Sequence, residues 1–201
     1  MLLLLLLACG DARHQTHSVG GMNAVWIEVS KGNVNLEGGL GAGTLSWDTE
    51  GPASVSHRRD RDALHVDGHC SFWLGCQTHL TLGIPRNIPV TAIVGTGNFR
   101  LSTLDASLQV QVDKGDVVAT DLNSPKVRIQ VGWGSVKLHF KGRPQRIDVD
   151  VVVGNIEVEV PYALYAVRED ATEPESYPDG IPVHLHTTSG TAKLVKRAPV
   201  E

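Results

Sequence analysis

Between residues 97 and 160 one short phrase comes back four times, and nothing else in the chain constrains its folding as tightly. It reads Gly97-Asn98-Phe99-Arg100-Leu101, Gly115-Asp116-Val117-Val118-Ala119, Gly134-Ser135-Val136-Lys137-Leu138 and Gly154-Asn155-Ile156-Glu157-Val158. The glycine-to-glycine steps are 18, 19 and 20 residues. Ahead of the last three glycines run the alternating stretches Leu108-Gln109-Val110-Gln111-Val112, Val127-Arg128-Ile129-Gln130-Val131 and Ile147-Asp148-Val149-Asp150-Val151. Alternation of period two puts Val, Ile and Leu on one face of a strand and the polar residues on the other. Glycine supplies the positive torsion of a tight turn, and the Asn, Asp or Ser beside it is expected to bond its own backbone. Each unit is therefore a strand, a glycine turn and a strand. Two strands are marginal in water, but stacked copies share one core. The repeat predicts an all-β, single-domain β-solenoid, a β-helix-like stack of units of about 18–20 residues. An antiparallel meander with hairpins of similar length is the competing arrangement.

Composition supports many short strands. The 201 residues include 21 glycines and few aromatics, and no stretch sustains a 3.6-residue apolar period, so almost no helix is expected. A formal charge of −4 argues against a nucleic-acid partner.

Residues 1–9 read as a targeting segment. The apolar run Leu2 to Leu7 is far short of the roughly 20 residues that cross a bilayer. Leu6-Leu7-Ala8-Cys9 resembles the lipobox of bacterial lipoproteins, which implies that Cys9 is acylated and anchors the protein in a membrane. A plain secretory signal with a chance cysteine is the alternative. Residues 10–22 read as a flexible tether in which His14 and His17 are solvated. The folded repeat domain is expected over residues 23–197.

Within that domain, Trp26 to Leu36 carries the same phrase and reads as the first rung, with a degenerate copy at Gly43-Thr44-Leu45-Ser46-Trp47. Residues 48–62 are dense in charge and read as a solvated loop. With Cys9 assigned to lipid, Cys70 and Cys76 remain as an even pair. In an oxidising compartment they are expected to form a disulfide. Metal is the competitor, because His69 and His79 flank them. Residues 162–180 break the period as an acidic, proline-bearing insertion, where Glu169, Asp170, Glu173, Glu175 and Asp179 offer hard oxygens of the kind calcium takes. Trp133, between two glycines, and Trp73, inside the cysteine loop, are the candidate surface contacts, with a lid folded back over the solenoid edge as the alternative for Trp133.

Catalytic candidates are few. Asp148 with Asp150, and Glu157 with Glu159, occupy the polar face of their strands, as carboxylates do in β-helix enzymes that act on polysaccharides. The same residues also serve to keep an exposed sheet soluble. His184 and His186 alternate with Val183 and Leu185 and face away from the core.

From Leu80 the chain runs through Ile84-Pro85 into the glycine units, and it closes on Thr187-Thr188-Ser189-Gly190-Thr191. This resembles the DUF4097 family of adhesin-like proteins over roughly residues 24–196, with Thr191 where that family usually has Asp. The resemblance implies an exported, all-β, solenoid-like domain with no catalytic residue, metal or cofactor to carry over. The expected function is that of a non-enzymatic, lipid-anchored module of the bacterial cell envelope. Its partners would be the membrane and an envelope protein or glycan. A polysaccharide-active enzyme and an ion-binding envelope protein are the alternatives.

Overall fold

The structure is a computed structural model that describes residues 13–39, 41, 43–70, 75–169 and 180–197. Cys9, Trp73 and the acidic residues 170–179 lie outside the described residues. Those described form 17 strands and no helix. The chain opens with β1 (Arg13–Ser18) and a long β2 (Ala24–Gly38). Next come β3 (Thr44–Glu50), β4 (Ala53–Asp60), β5 (Ala63–Cys70) and β6 (Gln77–Ile84). The regular units follow as β7 (Val90–Thr96) with β8 (Phe99–Leu104), then β9 (Leu108–Lys114) with β10 (Val117–Leu122). After them stand β11 (Lys126–Trp133) with β12 (Val136–Phe140), and β13 (Arg146–Val153) with β14 (Ile156–Pro161). The chain closes on β15 (Tyr165–Glu169), β16 (Ile181–Ser189) and β17 (Ala192–Arg197).

These strands build two ladders. In the first, β4-β5-β2-β7-β9-β11-β13-β16-β15 lie side by side, all parallel except the β4–β5 pair. In the second the order is β1-β3-β6-β2-β8-β10-β12-β14-β17, antiparallel only at the β1–β3 and β3–β6 pairs. β2 runs through both ladders and makes them two halves of one curled, mostly parallel sheet. Consecutive units lie in register, as a solenoid-like stack requires, and not as an antiparallel meander. The alternation predicted from sequence holds. Val127, Ile129 and Val131 are buried, while Arg128 and Gln130 are exposed. Inward residues of both ladders form one core, with Ile27, Ala92, Val110, Ile129, Val149 and Leu185 as a column across its middle.

The glycines do more than bend the chain. Gly97, Gly115, Gly134, Gly154 and Gly190 hold φ between 142° and 149° and stack directly on one another. A Cβ on Gly134 would sit 2.0 Å from the Gly115 carbonyl oxygen, and one on Gly154 would sit 1.8 Å from that of Gly134. The neighbouring polar residue behaves differently from the expectation, for it bonds the next rung and not its own turn. Asn33 Oδ1 accepts the Asn98 amide at 3.0 Å, Asn98 Oδ1 that of Asp116 at 3.0 Å, and Asp116 Oδ1 that of Ser135 at 2.8 Å. Ser135 Oγ accepts from Asn155 at 3.4 Å, and Asn155 Oδ1 takes both the amide and the hydroxyl of Thr191. Parallel stacking sets the next amide one strand spacing away, about 4.8 Å between backbones, which is within reach of a short side chain. Among the described residues the row ends at Thr191.

At the N-terminal end the structure corrects several expectations. The unit at Trp26 to Leu36 is not the outermost rung, because β5 and β6 stack outside β2. Residues 43–47 are not a repeat copy: Thr44 to Trp47 are the first half of β3, antiparallel on β6. The charged stretch 48–62 is not a loop. Its middle is β4, paired antiparallel with β5 from Ala53↔Cys70 to Asp60↔Ala63. β4 is the outermost strand of its ladder and mostly exposed, so charge costs it little and discourages pairing with other sheets. The predicted tether is folded from Arg13: β1 pairs with β3, and Val19 and Met22 are buried. His14 meets Asp48 at 2.8 Å, and His17 stacks on Trp47 with ring centroids 4.9 Å apart.

The far end closes in a comparable way. The start of the predicted insertion is β15, on β16, with Tyr165 buried and its hydroxyl donating to Pro161 O at 2.8 Å. Burial raises the phenol's pKa. Arg197 clamps β17 to Glu159 and holds that carboxyl below its ordinary range by hydrogen bonding.

Cys70 and Cys76 are joined by a disulfide with Cα atoms 5.7 Å apart, at the corner where the other rungs place glycine. Both sulfurs are thereby removed as metal ligands. Reduction is expected to lower stability by about 2 kcal/mol, the entropy of so small a loop. Thermal unfolding with and without a thiol reductant checks this, and an unchanged midpoint would show that the corner holds without its bond.

Candidate functional site: the outer strip of the first ladder

One rule locates the strip. Six residues before each stacked glycine (32, 97, 115, 134, 154 and 190) stand Trp26, Thr91, Gln109, Arg128, Asp148 and His184. Parallel register sets these side by side across six strands, with His65 next to Trp26. Trp26 is 41% exposed and stacks over the His65 ring at 6.3 Å. A second row, two residues on, holds Glu28, Ile93, Gln111, Gln130, Asp150 and His186. The strip is thus a fixed row of aromatic, amide and charged groups on a rigid sheet.

Two shallow depressions interrupt it. One, of about 300 Å³, is lined by Thr91, Ser107, Gln109, Lys126, Arg128 and Arg146, with Asp148 at its side. The other, of about 380 Å³, involves Gln111, Gln130, Asp150, Val152 and His186. Arg146 Nε donates to Asp148 at 2.7 Å, and that bond raises the guanidinium pKa. His184 Nδ1 lies 3.9 Å from Asp150, and the His184 and His186 rings lie nearly parallel at 6.3 Å.

The carboxylates proposed for catalysis do not converge. Asp148 and Asp150 belong to the first ladder, Glu157 and Glu159 to the second. Each faces a basic partner: Arg146, His184, Lys137 and Arg197 respectively. Among the described residues no three His, Cys, Asp or Glu side chains are placed to hold a metal ion. Trp133 ends β11, beside Lys114 and Val153, and is 61% exposed, so it does not fold back as a lid. The cation-lined depression escaped sequence reasoning. Lys126 and Arg146 are 20 residues apart, yet each stands eight before its glycine, and aligning the repeats would have paired them.

Neither a family model nor a curated protein matches the chain. Solved structures do. One is named a "putative cell adhesion protein", from Clostridium sporogenes. It is 12% identical, with a TM-score of 0.54, covering 93% of this chain and all of its own. The two share a fold. A "putative adhesin" from Bacteroides fragilis (12% identity, TM-score 0.47) is aligned over 94% of this chain and 98% of its own. Another from Parabacteroides distasonis (13% identity, TM-score 0.44) is aligned over 94% and 95%. All three sources are bacteria.

Proposed function

We propose that the protein is a non-enzymatic binding module of a bacterial cell envelope, held to a membrane through Cys9 and built as a solenoid of the DUF4097 adhesin-like kind. The observation that carries this reading is the outer strip from Trp26 to His184, a row of recognition groups fixed by the register of six strands. Such rows bind extended ligands without needing chemistry of their own. The adhesion name of the Clostridium sporogenes neighbour supports it. So does the disulfide, which persists in oxidising compartments. The described chain enters the fold at β1, on the terminal strand of the second ladder, so an anchor there would leave the strip leading away from the membrane.

Envelope fractionation of the native protein beside a Cys9→Ser variant, with mass spectrometry of the N-terminus, tests the anchor. The expected result is an acylated, membrane-bound native protein and a variant released to the soluble fraction. A soluble native protein retaining Met1 would remove the anchor from the reading.

A further inference from the structure

The strip holds one charge arrangement that folding does not account for. Lys126 stands directly opposite Arg146 in the register of β11 and β13. Like charges facing each other across a strand pair oppose the pairing. On the second ladder the protein does the reverse, setting Glu157 between Lys137 and Lys193. Asp148 pairs with Arg146, whereas Lys126 and Arg128 make no ion pair among the described residues, although Asp148 stands opposite Arg128 in the register. Both line the 300 Å³ depression, together with the hydrogen-bonding side chains of Thr91, Ser107 and Gln109 and the apolar surface of Pro89.

We propose that this depression binds the carboxylate of an acidic sugar, within a glycan that continues along the strip onto Trp26. This rests on the binding-module reading and names its ligand class. Guanidinium and ammonium groups supply the charge that a uronate needs, and Arg128 can engage it through two parallel N–H bonds. The hydroxyl and amide groups suit sugar hydroxyls, and a few convergent polar groups over apolar surface are what a ligand site requires. Trp26 lies three strands from Arg128, about 14 Å along the stack, which a short oligosaccharide spans. Its exposed indole offers a flat apolar face to a sugar ring. Glu28, Asp148 and Asp150 close by disfavour a continuous polyanion such as nucleic acid.

Isothermal titration of the disulfide-intact protein with oligogalacturonate tests the site, with its methyl ester, polyglutamate and inorganic phosphate as comparison ligands. Binding of the acid form is expected, weakened at least about tenfold by Lys126→Gln with Arg128→Gln, and by added salt. Trp26→Ala should also weaken it, while Lys137→Gln on the second ladder should leave it unchanged. Circular dichroism of each variant confirms the fold. Equal affinity for the ester overturns recognition of the carboxylate. Equal affinity for polyglutamate or phosphate overturns recognition of a sugar, and failure to bind oligogalacturonate overturns the site. A protein that binds the acid form yet is not membrane-bound would sink the anchor alone, and an anchored protein that binds nothing would sink this site alone.

Discussion

Gly134→Ala is expected to destabilise the fold by about 3–5 kcal/mol, a large share of the roughly 5–15 kcal/mol that holds an ordinary domain folded. Two effects add. Alanine tolerates poorly a φ of 144°, a torsion where residues with a Cβ are strained. Its Cβ would also lie 2.0 Å from the Gly115 carbonyl oxygen, which is backbone and cannot turn aside. Relief requires the rungs to part, and parting them stretches the Gly115 amide bond to Trp133 O and the Ser135 amide bond to Asp116. Gly39→Ala is the control. It too has positive φ, but nothing lies within 4 Å of its Cβ position, so it carries the torsional strain alone. Denaturant melts of both variants measure the difference. Equal losses would show that stacking contributes nothing and torsion everything.

A second pair of substitutions separates the two faces of one strand. Ile129→Asp should cost more than about 4 kcal/mol, because Ile129 is fully buried between Val110 and Val149 and a carboxylate there finds no partner. Gln130→Ala, one residue along and exposed, should change stability by less than about 0.5 kcal/mol. The comparison tests the register itself. A slip of one residue would exchange the two outcomes.

How far the fold was legible depended on the distance over which its signals act. The strand-glycine-strand unit could be read from a window of about twenty residues, since alternation and glycine spacing are local. Parallel stacking followed from the constancy of that spacing. The position of β2 was not legible. It lies between β5 and β7, and nothing in Trp26 to Leu36 reveals that residues 63–84 will stack outside it. The charged β4 looked like a loop because an outermost strand carries no buried face to write an alternating pattern. The row from Asn33 to Thr191 was misassigned for a similar reason: Asn, Asp and Ser beside glycine signal a turn in any context, and only stacking reveals that their acceptors serve the next rung. The strip was half legible. Asp148, His184 and the alternating glutamines were recognised as a solvent face, but the meeting of Lys126 with Arg146 exists only between rungs.

The glycine column also survives interruption. From Gly154 to Gly190 the chain takes 36 residues in place of about twenty, yet a Cβ on Gly190 would still meet the Gly154 carbonyl oxygen at 1.8 Å. The longer step, which includes β15 on the outside of β16, leaves the column in phase. Two kinds of variation are thereby kept apart. The number of residues between two stacked glycines can differ from unit to unit while the column keeps its phase. Gain or loss of a whole rung changes the reach of the stack by one strand spacing, about 4.8 Å, and adds or removes one side chain in each outer row. Such a scaffold works as a ruler graduated in rungs, its length and its surface free to vary independently.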